Sequence, residues 1–180
     1  MANKDAPRGA SPSRHLTGGN AFSMNAYAVD ASNSTAIFPG DFMILEADGN
    51  VAPYTGTGGG NLIGVCAGVD GDFDNLTRRY LPASTAGSVF IYDDPDIVFE
   101  VQSDGTTQAV DAGNNCDVTA TAGSTTTSIS KHEMSATTTN TTAQLRLVRP
   151  VPREDNDVSL ASSDWEVVIN EHLFKSTAGI

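Results

Sequence analysis

From Pro39 to Val69 the chain reads PGDFMILEADGNVAPYTGTGGGNLIGVCAGV, a stretch in which turn signals cut the apolar runs every few residues. Pro39-Gly40-Asp41 precedes Phe42, Met43, Ile44 and Leu45, Asp48-Gly49-Asn50 reverses the chain before Val51, and the glycines at 56, 58, 59 and 60 break it again before Leu62, Ile63 and Val65. Asp-Gly and Gly-Gly supply the positive φ angles of tight hairpin turns, and a proline fixes φ where a strand begins. No helix of useful length survives such punctuation, so the stretch predicts a compact β-module. No nucleophile, metal cage or phosphate cradle is embedded in it, and the glycines at 56–60 read as a hairpin tip, since neither a following helix nor a Lys-Ser or Lys-Thr pair completes a phosphate loop.

The same grammar recurs along the chain. Short strands are expected near 25–30, 42–47, 61–69, 78–82, 88–93, 97–102, 115–120, 127–133, 143–149 and 165–173, with one helical turn near 106–114. Many short strands at this spacing predict an all-β fold, a sandwich or small β-barrel of short antiparallel strands forming a single β-rich domain over 21–180. Leu145 and Leu147 flank Arg146, and Trp165, Val167 and Ile169 alternate with Glu166, Val168 and Asn170, so both C-terminal strands should be half-buried with one wet face. Residues 88–92 and 97–101, joined by Asp93-Asp94-Pro95-Asp96, read as a hairpin. Cross-strand pairing of Phe90, Tyr92, Phe99 and Val101 would contribute roughly 0.2–1 kcal/mol per pair. The threonine-rich residues 123–142 suit an exposed loop or an edge strand.

With 22 acidic against 10 basic residues the net charge is -12, and such a surface repels a phosphate backbone. Nucleic acid is therefore not expected as a partner; solubility accounts for the charge equally well. No run approaches the roughly 18 apolar residues of a membrane span, and the first residues lack a signal-peptide core, so no membrane partner is expected and synthesis in a host cytoplasm is. Residues 1–20 carry Lys4, Arg8 and Arg14 with little that can enter a core, and read as an N-terminal arm, either disordered or extended and ordered on a neighbour. Cys66 and Cys116 fit buried thiols as well as one bridge.

The residues that imitate catalytic or metal centres each fail a specific requirement. Asp70, Asp72 and Asp74 alternate like the start of a calcium loop, but Asn75 and Leu81 occupy the positions where the glycine and the bidentate glutamate belong. Asp93, Asp94 and Asp96 sit in a turn that should keep all three wet, where an acid and base pair needs contrasting environments. His15, His132 and His172 form no chelating spacing, no serine elbow occurs, and neither cysteine has an evident activating partner. Neither an enzyme, a cofactor, a metal nor a small-molecule substrate is expected. Arg146, Arg149 and Arg153 precede Glu154, Asp155 and Asp157, and guanidinium forks in this pattern suit either a subunit contact or an ion pair within the chain.

The ordered succession FPGDFMILEADGNVAPYTGTGGGNLIGVCAGV, RRYLPASTAGSVFIYDDPDIVFEVQSDG, TTAQLRLVRPVPREDN and WEVVINEHLF resembles the head decoration, or capsid cement, proteins of tailed bacteriophages over about residues 36–174. The resemblance implies a virion structural protein on the outer surface of the head, bound to the major capsid protein lattice and stabilising it, often as a homotrimer. Lys4, Arg8, Arg14, Phe22, Arg149 and Arg153 are then the candidate capsid or inter-subunit contacts. The competing reading is a phage tail or fibre β-sandwich module that binds carbohydrate or another virion protein. It calls for an exposed aromatic platform, and the chain has a single tryptophan, Trp165.

Overall fold

The computed structural model describes residues 3–56, 61–72 and 74–176. Eleven strands appear among them: β1 (Ser11–His15), β2 (Asn25–Val29), β3 (Phe42–Leu45), β4 (Val51–Pro53), β5 (Leu62–Val69), β6 (Gly87–Tyr92), β7 (Ile97–Gln102), β8 (Asn115–Thr119), β9 (Glu133–Thr139), β10 (Leu145–Pro150) and β11 (Asp164–Ile169). They form a six-stranded sheet in the order β1-β7-β11-β10-β8-β9 and a five-stranded sheet in the order β2-β6-β5-β3-β4, with every strand pairing antiparallel. The fold is thus an all-β sandwich whose sheets do not close into a barrel.

Phe42, Leu62 and Val65 of the five-stranded sheet meet Phe99, Leu145, Leu147, Trp165 and Val167 of the six-stranded sheet in the main core. The other face of the five-stranded sheet is buried too: Met43, Ile63, Cys66, Val89 and Ile91 pack beneath Ile37 and Leu81. That double burial is why β3 and β5 read as near-continuous apolar runs rather than as alternation. Its end strands β2 and β4 approach within 8 Å, Cα to Cα, without pairing, so the sheet curls around this second core.

Several expectations are corrected. The 88–92 and 97–101 segments are strands but not a hairpin: β6 lies between β2 and β5 in one sheet, and β7 between β1 and β11 in the other. Both edges of each strand are occupied, so Asp93-Asp94-Pro95-Asp96 is a corner that carries the chain between sheets. Nor is that corner uniformly wet. Asp93 is buried, accepting from Asn25 Nδ2 at 2.8 Å and from the Tyr27 hydroxyl at 2.6 Å. Residues 78–82 contribute only a bridge between Leu81 and Ile37, and the strand expected at 127–133 lies at Glu133–Thr139. The glycines at 56–60 do not close a hairpin, because β4 and β5 both pair with β3 and not with each other; residues 57–60 themselves lie outside the described residues.

The segment expected to be an arm is extended, but it runs along its own chain: β1 pairs with β7, and Ala10 enters the main core. Cys66 and Cys116 are free, buried thiols in separate clusters. Burial raises both above the ordinary thiol value, Cys116 to about 12.

Candidate functional site: an arginine and carboxylate ladder beneath the N-terminal segment

Alternation in β7 and β11 turns Phe99, Val101, Trp165 and Val167 into the core and leaves Glu100, Asp164 and Glu166 on the outer face of the six-stranded sheet. Glu100 stands directly opposite Glu166 across the ladder, and like charges in that position repel. Four guanidinium groups resolve the conflict.

Arg8 bonds both Glu100 and Asp164, and Arg153 does the same from the other side. Arg14 donates through Nε and Nη2 to Glu166 Oε2 at 3.1 and 2.8 Å. Arg149 forks onto both Glu166 oxygens at 3.0 and 2.9 Å. Glu166 is only 4% exposed. Its burial raises the carboxyl, but the hydrogen bonds from Arg149 and Arg14 outweigh that and hold it below the ordinary glutamate value. Strict alternation would point Arg149 inward, as it does Leu147; a register shift between these two residues turns it to the outer face. A second shift, between Pro12 and Arg14, does the same for Arg14. Both β-bulges therefore serve to aim an arginine.

The backbone of the N-terminal segment is pinned beside the ladder. Ala6 N–H donates to Gln102 Oε1 at 2.9 Å, Gln102 Nε2 donates to the Lys4 carbonyl at 3.0 Å, and Asn3 Nδ2 donates to the Asp157 and Ala161 carbonyls at 2.8 and 2.9 Å. A cleft of about 180 Å³ remains here, lined among others by Lys4, Arg8, Gln102, Arg153 and Asp164.

Of the six residues nominated from sequence, Arg8, Arg14, Arg149 and Arg153 thus converge on one surface, each bound to a carboxylate of its own chain. Lys4 lies at the margin, contributing its carbonyl. Phe22 is elsewhere, packed edge-on against Tyr92 at 6.1 Å and against the His15 ring at 5.3 Å. Trp165 is fully buried, its Nε1 donating to Thr107 Oγ1 at 2.9 Å, so it offers no platform to a sugar. Asp72 pairs with Arg78 at 2.5 Å, and among the described residues no three His, Cys, Asp or Glu side chains gather as metal ligands.

A second polar cluster escaped the sequence reading. Asp41, 2% exposed, accepts the Phe38 N–H at 2.7 Å through Oδ2 and lies beside the buried Ser130 hydroxyl, while its Oδ1 has no hydrogen-bond partner among the described residues. His132 Nε2 lies 3.7 Å from Oδ1. His132 Nδ1 accepts the Phe42 N–H at 3.1 Å, so the neutral imidazole carries its proton on Nε2. Burial pushes the Asp41 carboxyl up to about 6, against the pull of Ser130 and Phe38, and pushes His132 down to about 4. Ser130 Oγ accepts the backbone N–H of His132 at 3.1 Å and the imidazole Nδ1 is taken by the Phe42 N–H, so these three residues are not wired as a nucleophile and base. The turn at Pro39-Gly40-Asp41 was the one available signal; His132 is 91 positions away and carried none.

No family model matches this chain, and no curated protein or solved structure does so either.

Proposed function

We propose that the chain is a non-enzymatic virion structural protein that decorates the outer surface of a tailed-phage head, bound to the major capsid protein lattice as a homotrimer. The resemblance of residues 36–174 to cement proteins supports it, as does a sandwich with two buried cores, which supplies a rigid block. The observation that carries the reading is how the charge is disposed. Six of the ten basic residues, Arg8, Arg14, Arg78, Arg149, Arg153 and Lys175, are paired with carboxylates of the same chain, leaving the rest of a -12 surface dominated by acid. Such a surface suits the exterior of a shell, away from packaged nucleic acid. Large apolar side chains that stay exposed, Leu16, Met24 and Phe174 among them, are available as contact anchors.

The mechanism is mechanical. A protein that binds the assembled lattice more tightly than separated capsomers stabilises the assembly by linkage. The test is to add the purified chain to heads of the encoding virus from which it has been removed, and to image them by cryo-electron microscopy. Saturable density over the capsomers is expected, together with greater resistance of the heads to heat; heads that stay bare would refute the reading. Deleting residues 1–20 should lower occupancy, and full occupancy after the deletion would remove that segment from the contact.

A further inference from the structure

Gly9 and Ala10 pack on Gly40 and Ser130, the residues beside the buried carboxylate of Asp41. Gly9 and Gly40 both hold positive φ, +73° and +95°, and their backbones touch: a Cβ on Gly9 would fall 2.4 Å from the Gly40 carbonyl oxygen and 2.6 Å from Ser130 Oγ. Ala10 N–H donates to that same Gly40 carbonyl at 2.9 Å. The covering segment thus rests on the two groups that flank Asp41, its preceding residue and the neighbouring Ser130 hydroxyl.

Beneath this cover the carboxylate is poorly provided for as an anion. Oδ1 has no partner, and the nearest imidazole is held neutral, because protonating His132 Nδ1 would set two donors against each other at the Phe42 N–H. Cys66 is the other titratable group facing it, and its thiol is raised by burial and by Asp41 itself. The Arg8 guanidinium of the covering segment is bound to Glu100 and Asp164, Lys131 is exposed, and Glu133 has Asp104 and Asp5 as its charged neighbours. Among the described residues no cation compensates the charge, so water is its remaining source of stabilisation, and water reaches Asp41 when the cover lifts.

We propose that Gly9 and Ala10 form a lid over Asp41 whose opening is coupled to ionisation of that carboxyl: the lid is held closed while the carboxyl is protonated and loosens once it is charged. The closed lid holds the carboxyl near 6, and an open one returns it toward 3.8. The closed form therefore keeps a proton that the open form gives up, and raising the pH shifts the balance toward opening, by about tenfold between pH 5 and 8. Arg8 and Arg14 hold the rest of the segment throughout, so opening is a local event rather than unfolding. The inference is independent of any attachment to a capsid.

Native-state hydrogen exchange of the full chain tests it. The protection factor of the Ala10 amide, corrected for intrinsic exchange, should fall about tenfold from pH 5 to 8 while that of Val167 in β11 holds steady. In Asp41→Asn the Ala10 protection should be high and independent of pH. Ser130→Ala removes the neighbouring hydroxyl that lowers the Asp41 carboxyl and should move the midpoint to higher pH, which keeps the test decisive if the first variant does not fold. A flat wild-type profile, a pH dependence that persists in Asp41→Asn, or an unmoved midpoint in Ser130→Ala would each overturn the proposal.

Discussion

The ladder on the outer face and the Asp41 pocket both fasten the N-terminal segment, yet they handle charge in opposite ways. In the ladder, three carboxylates are matched by four guanidiniums, most of them partly open to water, and Glu166 is held below the ordinary glutamate value. At Asp41 a single carboxylate is enclosed with one oxygen unpartnered and a neutral imidazole for company. Balanced charge near solvent gives an attachment that tolerates pH but responds to salt, whereas enclosed, unbalanced charge gives one that responds to protons and ignores salt. The same N-terminal segment is thus secured by two attachments with different sensitivities.

The largest expected effects fall on the enclosed side. Gly9→Ala puts a Cβ against the Gly40 carbonyl in a left-handed backbone conformation, and should cost about 3 kcal/mol in urea unfolding or release the segment to proteolysis. A loss under half that size would mean that the contact between residues 9 and 40 yields easily. Next come two opposed pH responses. His132→Gln, whose amide oxygen can accept the Phe42 N–H, leaves Asp41 near 6 against an ordinary 3.8. The folded state then binds the extra proton, and stability should rise, relative to wild type, as the pH falls from 7 to 4. Asp41→Asn leaves His132 near 4 against 6.5. There the unfolded state binds the extra proton, and stability should fall over the same range. Each change amounts to about 2–3 kcal/mol, and in the wild type the two oppose each other. Parallel slopes in the two variants, from thermal melts across the range, would break the contrast between pocket and ladder.

Glu166→Gln comes third. It keeps the shape but removes the charge that two arginines share, and returns Glu100 to an unopposed neighbour. A loss of about 1–2 kcal/mol is expected, because the carboxylate is buried although its partners are partly wet. The loss should shrink in 1 M salt. The same loss at every ionic strength would mean that packing, not charge, holds the ladder.

Much of the architecture could be read in the chain, and where reading stopped has a physical cause. Leu145, Leu147, Trp165, Val167 and Ile169 announce their burial through period-two alternation, and all five are buried. Local pattern does not carry the identity of a strand's neighbours. Gly87–Tyr92 and Ile97–Gln102 were recognisable as strands, but only tertiary pairing decides that they belong to different sheets. β1, with the sequence SPSRH, has no apolar alternation at all and is a strand because β7 offers it an edge and acidic side chains offer its arginine a partner. The arginines were legible as a charged cluster. Their partners Glu100, Asp164 and Glu166 were not, since each looks like an ordinary outward residue until the sheet sets them side by side.

Arg149→Ala should have the smallest effect of the series, and it is the sharpest probe of how the ladder divides its load. The Arg149 side chain is 52% exposed, against 29% for Arg14, although both hold the same carboxylate. An exposed guanidinium recovers more side-chain freedom when released, and solvent screens what it contributed. Removing Arg149 should therefore shift the melting temperature less than removing Arg14, and the difference should vanish in high salt. Arg14 also belongs to β1, so its loss loosens the segment that covers Asp41, whereas loss of Arg149 leaves that segment bound through Arg8 and Arg14. Ala10 protection should accordingly drop in Arg14→Ala and stay unchanged in Arg149→Ala. Equal drops in both would mean that the ladder holds the N-terminal segment as one cooperative unit rather than through the two arginines that the segment itself supplies.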